Sequence, residues 1–279
     1  MRPSRRRRPP VTSGPEGSGC DIEVLGSGTS VGVPTIGCHC KVCTSDDPRD
    51  RRLRPSVVVR FYDEDIHRSV VIDTTPDFRQ QALRAKLERV DAVIYTHDHA
   101  DHIMGLDDIR PFNYGRPDRI PVYASPGTLR SLRRVFPYAF AGEGTHPGGV
   151  PRLDARAAST TPINLFGMEF QPVEVDHGPK KILGYRFGRA AYVTDQTGFP
   201  PESLVQLQDL DVLFLGALRH LPHPMHSTVE QALELVEMLR PNRAFFTHVC
   251  HELSHKETIR QLPSGVSLAY DGLRIEVEG

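Results

Sequence analysis

Short runs rich in Val and Ile, bounded by Gly, Pro or Asp, predict strands over residues 21–25, 56–61, 70–73 and 92–95, so the first half of the chain is sheet-rich. Helical spacing over 78–87 places Phe78, Ala82 and Ala85 on one side with Leu87 at its margin, and Pro76 and Asp77 mark its start. A second short helix is predicted over 129–136, ended by Pro137. Residues 142–162, rich in Gly, Pro and Ala, read as loop. Strands resume over 163–166, 168–175, 182–187, 190–194 and 212–215. Ser227 and Glu230 have the spacing of a capping box, opening a helix that runs to Arg240 and stops at Pro241. Strands over 243–247, 267–269 and 273–277 close the chain. Two strand-then-helix halves follow one another with no linker and no repeat at a solenoid period, which predicts an α/β (α+β) architecture in a single domain over residues 20–279.

Composition narrows the class. Of 279 residues, 38% are hydrophobic and 25% charged, ordinary values for a soluble protein, and no apolar run approaches the roughly 20 residues that span a bilayer. Residues 1–19 are Pro, Ser, Gly and Arg with almost nothing to bury, and are expected to form a disordered basic tail. Its five Arg and one Glu, set against a net charge of −1 for the whole chain, leave residues 20–279 mildly acidic. A basic tail can touch nucleic acid or anionic lipid, but a solvated extension is the commoner meaning. The run Arg5 to Arg8 leads into Pro and Gly, not an apolar stretch, so neither a secretory nor a twin-arginine signal is expected, and the body is expected in the cytoplasm. On the second predicted helix, Arg130, Arg133 and Arg134 share a face that could attract a phosphate backbone, though such stripes are more often solvated surface.

The chemistry concentrates after the strand over 92–95, in Thr96-His97-Asp98-His99-Ala100-Asp101-His102. Alternate residues of an extended chain share a side, which places His97 and His99 together, with Asp101 and His102 on the next turn. Two imidazoles suit one divalent ion, and the added carboxylate and third imidazole suit a second nearby, a two-metal spacing. Three later residues also follow apolar runs: His177, Asp195 and His248. A carboxylate can bridge two metals, and Asp195 is the candidate bridge. Of five cysteines, Cys38, Cys40 and Cys43 lie too close together for unstrained disulfides, and metal explains them better.

These residues resemble the metallo-β-lactamase superfamily, whose motif has the form His-x-His-x-Asp-His with a later His, Asp and His; the resemblance covers essentially residues 20–279. It implies an αββα sandwich with the site at one edge. It also implies a first metal on His97, His99 and His177, a second on Asp101, His102 and His248, Asp195 between them, and Asp73 orienting the ligand loop from behind. The segments Leu25-Gly-Ser-Gly-Thr-Ser30, Gly37 to Cys43, Ile72 to Arg79 and Leu218 to His226 further resemble phosphoribosyl 1,2-cyclic phosphate phosphodiesterases. In that group a structural zinc is held by the three cysteines and a His three residues after the last catalytic His, which here is His251. Cys38, Cys40, Cys43 and His251 make a complete tetrahedral set, closed to substrate and therefore structural, while Cys20 and Cys250 are expected to stay unliganded.

The expected cofactors are thus two divalent ions, zinc or manganese, and one structural zinc. The expected reaction is hydrolysis of a small, cyclic phosphodiester by a hydroxide shared between the two ions. His226, ahead of the capped helix, matches the group's position for a phosphate-contacting general acid, with His220 and His223 weaker candidates. No Gly-x-Ser-x-Gly elbow, Walker loop or dinucleotide turn competes; Gly26-Ser27-Gly28 is explained by a tight turn. Three rivals are a ribonuclease resembling the transfer-RNA 3′-processing enzymes, a pyrroloquinoline quinone biosynthesis B-like protein, and a non-catalytic metal-binding scaffold. The first lacks its RNA-gripping arm here, the second tends to depart from the metal motif that is intact here, and the full ligand set argues against the third. A small phosphodiester is the expected partner ahead of nucleic acid, no membrane partner is expected, and a homodimer is compatible with the chain.

Overall fold

A computed structural model describes residues 19–141 and 149–278, so the tail expected over 1–19 lies, all but Gly19, outside the described residues. The strands are β1 (Cys20–Gly26), β2 (Ser56–Asp63), β3 (Ile66–Ile72), β4 (Ala92–Ile94), β5 (Ile120–Ala124), β6 (Leu153–Ala157), β7 (Ile163–Leu165), β8 (Met168–His177), β9 (Lys180–Phe187), β10 (Ala190–Val193), β11 (Val212–Gly216), β12 (Arg243–Thr247), β13 (Val266–Leu268) and β14 (Arg274–Val277). They form two seven-stranded sheets, ordered β14-β1-β2-β3-β4-β5-β6 and β13-β12-β11-β10-β9-β8-β7. The helices are α1 (Phe78–Arg84), α2 (Ala100–Ile103), α3 (Pro126–Val135), α4 (Pro201–Gln206), α5 (Val229–Leu239) and α6 (His255–Thr258). Among the described residues no helix is long and apolar enough to cross a membrane.

Strand alternation builds the layers. Val57, Val59 and Phe61 of β2 face the second sheet and meet Phe170, Tyr185, Phe187, Tyr192 and Phe214 in the central core. Val58, between them, faces outward to Phe78 of α1 and to Leu129 and Leu132 of α3. On the far side, Val193, Leu213 and Leu215 pack against Ala232 and Leu239 of α5. Strands covered on both faces must be apolar at nearly every position, which is why these runs show no alternation in sequence. The result is the expected αββα sandwich.

Several boundaries differ from expectation. The segment expected as loop over 142–162 contains β6; residues 149–152 and 158–162 carry no helix or strand, and 142–148 lie outside the described residues. β6 reads Leu-Asp-Ala-Arg-Ala and forms only because β5 offers it a parallel partner, from Ile120↔Leu153 to Ala124↔Ala157. Pairing overrides propensity there. α1 ends at Arg84, short of Leu87, because Lys86 turns to φ 50°. α3 begins at Pro126, three residues before the expected 129, because Ser125 caps it by accepting from Thr128 N. α5 is capped one residue later than expected, by Thr228 with Gln231 reciprocating, in place of Ser227 and Glu230. Gly26 and Gly28 serve close approach, not a tight turn: a Cβ at Gly26 would sit 1.9 Å from the Arg54 carbonyl oxygen, and one at Gly28 would sit 2.8 Å from that of Arg52.

Candidate active site

The site lies beyond the carboxyl ends of strands from both sheets. Asp73 follows β3, His97 comes three residues after β4, His177 ends β8, Asp195 comes two after β10 and His248 follows β12. The single turn of α2 carries Asp101 and His102. Asp73, Asp195 and His248 all adopt left-handed backbone, with φ of 65°, 61° and 59°. Asp and His tolerate this region better than branched residues, but it still costs of order 1 kcal/mol each, strain typical of functional positions.

All seven expected catalytic ligands come together. Ligand atoms of His97, His99 and His177 lie within 4.8 Å of one another, as do those of Asp101, His102 and His248, and those of His97, His102 and Asp195. Asp195 reaches both trios: its carboxylate is within 4.8 Å of ligand atoms of His97 and of His177 in the first, and its Oδ2 is 3.2 Å from His102 Nε2 and its Oδ1 3.1 Å from His248 Nε2 in the second. Nε2 of His97, His102, His177 and His248 is buried without a hydrogen-bond partner. Buried nitrogens of this kind are normally satisfied, and a cation at the centre of each group would satisfy them. Burial pushes His97 well below the ordinary histidine range, the neutral form a ligand requires. Against the burial that opposes its charge, Asp101, Asp195 and Asp73 push His102 well above that range, so the clustered carboxylates call for positive charge at this point. Asp195 is buried too, yet the imidazoles of His248 and His102 hold it well below the usual carboxylate range.

Residues behind the ligands fix their aim. Asp73 accepts from Thr96 N and Thr96 Oγ1, both at 2.8 Å, and pairs with His102 Nδ1 at 2.7 Å. This leaves Nε2 as the metal-facing nitrogen of His102. Thr194 Oγ1 donates to Asp195 Oδ2 at 2.8 Å. The Gln196 side-chain amide donates to the Gly216 carbonyl at 2.6 Å and accepts from its N–H at 3.2 Å, locking β10 to β11 just past Asp195. The sequence pattern assigns no supporting role to Thr96, Thr194 or Gln196. A signal existed, because a Thr directly precedes each of His97, Asp195 and His248. Asp73→Asn is expected to weaken metal binding about 10- to 100-fold while the fold persists, the usual cost of losing a partner behind a ligand. Metal titration of the variant checks this, and unchanged affinity would contradict the role of Asp73.

His226 sits at the rim, 16% exposed in its side chain, with Nδ1 buried 3.3 Å from Asp195 Oδ1. Burial first, then His248, pushes its imidazole down to about 3. His220 is drawn off to Glu230 at 2.6 Å, and His223 accepts from Met225 N at 3.2 Å, so neither joins the ligand groups.

The second cluster also assembles. His251 Nδ1 lies 3.2, 3.4 and 3.6 Å from the sulfurs of Cys38, Cys40 and Cys43. A tetrahedral zinc with ordinary Zn–S and Zn–N bonds places such atoms about 3.5 Å apart, so the four donors already have the shape of the ion. The Cys43 N–H is the largest of the influences that hold the Cys40 thiol down to about 6, while burial pushes Cys43 up to about 11. The fully buried Arg52 supports this cluster, donating to the carbonyls of Cys250 and Leu253 at 2.9 and 2.7 Å and pairing with Asp50 at 2.9 Å. Among the described residues, Cys20 and Cys250 fall in none of the ligand groups.

Residues 68–249 match the family model described as a beta-lactamase superfamily domain. The chain belongs to the beta-lactamase superfamily. The fold is that of the similar solved structures. A crystal structure of a diphosphatase from the PhnP family is similar over 93% of this chain and 98% of that one, at 50% identity and a TM-score of 0.86. The zinc-bound PqqB of Methylobacterium extorquens aligns over 92% of this chain and all of that one, with a TM-score of 0.74; at 19% identity this shows the fold alone. An octanoyltransferase of Porphyromonas gingivalis is 36% identical over 257 residues, 91% of this chain and 51% of that protein. The chain spans about half the length, or less, of the curated relatives it matches.

Proposed function

We propose that the protein is a metal-dependent hydrolase that cleaves a P–O bond in a small anionic substrate, a phosphodiester such as a phosphoribosyl 1,2-cyclic phosphate. The observation that carries this is the pair of ligand trios with Asp195 close to both, in which Nε2 of His97, His102, His177 and His248 is buried without a hydrogen-bond partner. Similarity at 50% identity to a diphosphatase supports phosphoryl chemistry in place of the acyl transfer that the octanoyltransferase's name carries. His97, His99 and His177 would hold one ion, Asp101, His102 and His248 the other, and Asp195 would contact both. Zinc and manganese both suit this donor set. Bound there, the two ions would supply an activated water and positive charge for the phosphoryl oxygens.

The protein's own residues do the rest. Asp73, Thr96 and Thr194 keep the ligands aimed, so little reorganisation accompanies the reaction. His226 would protonate the leaving oxygen, its Nδ1 lying 3.3 Å from Asp195 Oδ1 and its Nε2 serving the substrate. Because its imidazole is held low, it must take up its proton together with the substrate, whose negative charge favours the imidazolium. His226→Ala is therefore expected to lower turnover of an alkyl phosphodiester by about 10²- to 10⁴-fold with metal content retained. With p-nitrophenolate, which departs unaided, the loss shrinks. Equal losses on both leaving groups would remove the acid role.

A diphosphate is the second reading, favoured by the same 50% identical neighbour. A panel of a cyclic ribose phosphate, cyclic nucleotides, a diphosphate and RNA separates the possibilities. Faster cleavage of the cyclic ribose phosphate than of RNA is the expected result. Efficient 3′-trimming of transfer RNA without small-diester cleavage would turn the assignment toward a nuclease.

A further inference from the structure

The face of β8 and β9 that carries His177 also carries a cation that the ligand scheme leaves unused. Lys180 opens β9 directly opposite His177, the last residue of β8, in the antiparallel register. Residues paired across such a ladder present their side chains on the same face, so the register that turns His177 toward His97 and His99 turns Lys180 the same way. The adjacent pair gives the contrast: Lys181, opposite Asp176, faces the other side and is engaged by Asp176 at 2.5 Å and Glu174 at 3.5 Å.

Lys180 is held far more loosely. Its Nζ lies 3.7 Å from Asp98 Oδ1, and its side chain stays 53% exposed. Asp98 itself, between the ligands His97 and His99, is fixed on its other oxygen by Ser131 Oγ of α3 at 2.7 Å. Asp98 is thus anchored by a hydrogen bond, whereas Lys180 meets it beyond hydrogen-bond distance. Arg219, a cation near His223 on the other rim, is already committed to Glu252 and to the carbonyls of Leu221 and Pro222. A half-exposed pair beyond hydrogen-bond distance contributes little, and a phosphate oxygen is a stronger partner for an ammonium than a distant carboxylate.

We propose that Lys180 is a substrate-binding residue that leaves Asp98 to take the second phosphate of a substrate whose reacting phosphoryl group lies against the His–Asp cluster. This rests on the hydrolase reading above and names the residue that would hold the second phosphoryl group of the substrates considered there, a diphosphate or a phosphodiester carrying a further phosphate. Asp98 is then a positioning residue that keeps the ammonium on the metal side until the anion arrives.

The test separates binding from turnover. The manganese-loaded parent, Lys180→Met and Lys180→Arg are titrated calorimetrically with inorganic pyrophosphate and with orthophosphate, and their metal content is measured. Lys180→Met is expected to weaken pyrophosphate about tenfold or more, the cost of one charged hydrogen bond, with orthophosphate and metal content nearly unchanged and with Lys180→Arg recovering part of the loss. In turnover, KM for a doubly phosphorylated substrate should rise with kcat nearly constant. Equal weakening of the two anions, or no weakening of pyrophosphate, overturns the proposal. If pyrophosphate binds through Lys180 but no P–O bond is cleaved by the parent, the hydrolase reading fails and the Lys180 site stands.

Discussion

Asp195→Ala is expected to abolish turnover on every phosphodiester, whatever its leaving group, and to release metal from the histidine cluster. The carboxylate lies 3.2 Å from His102 and 3.1 Å from His248, and within 4.8 Å of ligand atoms of His97 and His177. Removing it subtracts negative charge from a pocket of clustered imidazoles, so the remaining nitrogens would be left to hold like-charged ions in close proximity. Loss of a residue behind a ligand already costs about 10- to 100-fold in affinity or activity, and loss of the shared ligand itself should exceed that. Metal analysis alongside turnover checks this. A variant that keeps its full complement of ions and even a tenth of its activity would exclude the bridging role. The contrast with His226→Ala matters, because that variant should lose turnover and keep its metal.

The second large effect belongs to the thiolate cluster. Cys40→Ala or His251→Ala should lower the melting temperature by roughly 6–12 °C, taking a loss of about 3 kcal/mol and the usual scaling for a protein of this size. Structural zinc in small peptides is worth ~10 kcal/mol or more because the whole fold depends on it. Here two extensive sheets have their own core, so the loss is smaller. It is still large because the cluster joins the loop over 38–43 to the one following β12, which carries both His248 and His251. Zinc content and thermal unfolding together check the assignment. A Cys40→Ala protein that melts like the parent and retains all its zinc would contradict it.

The candidate ligands were legible in the sequence because they cluster within six positions or stand directly after apolar runs. A strand buried on both faces cannot be mistaken for a solvated loop, and a charged residue at its end needs a reason to be there. Less of the supporting frame could be read. The left-handed backbone at Asp73, Asp195 and His248 has no marker in residue type beyond a general tolerance. Asp98 sat in plain view between two ligands, yet its bond to Ser131 joins residues 33 apart and depends on how α3 lies over the sheet. Arg52 carries no local signal of burial, yet it is fully buried, because the carbonyls that receive it come from the loop about 200 residues later. β6 escaped for the same reason: its partner, not its composition, makes it a strand. Chemistry-bearing residues announce themselves locally, whereas whatever aims them is a property of tertiary pairing.

The most direct test of the central claim is stepwise metal removal from the purified protein, with ions per chain and hydrolysis of bis(p-nitrophenyl) phosphate followed together. Two catalytic positions and one closed thiolate position predict three ions per chain. Two should leave under mild chelation in parallel with activity, and manganese or zinc should restore both. The third should remain until the fold is lost. Full hydrolysis after removal of the weakly held ions, or no metal at the histidine cluster in protein prepared with abundant supply, would contradict a two-metal hydrolase.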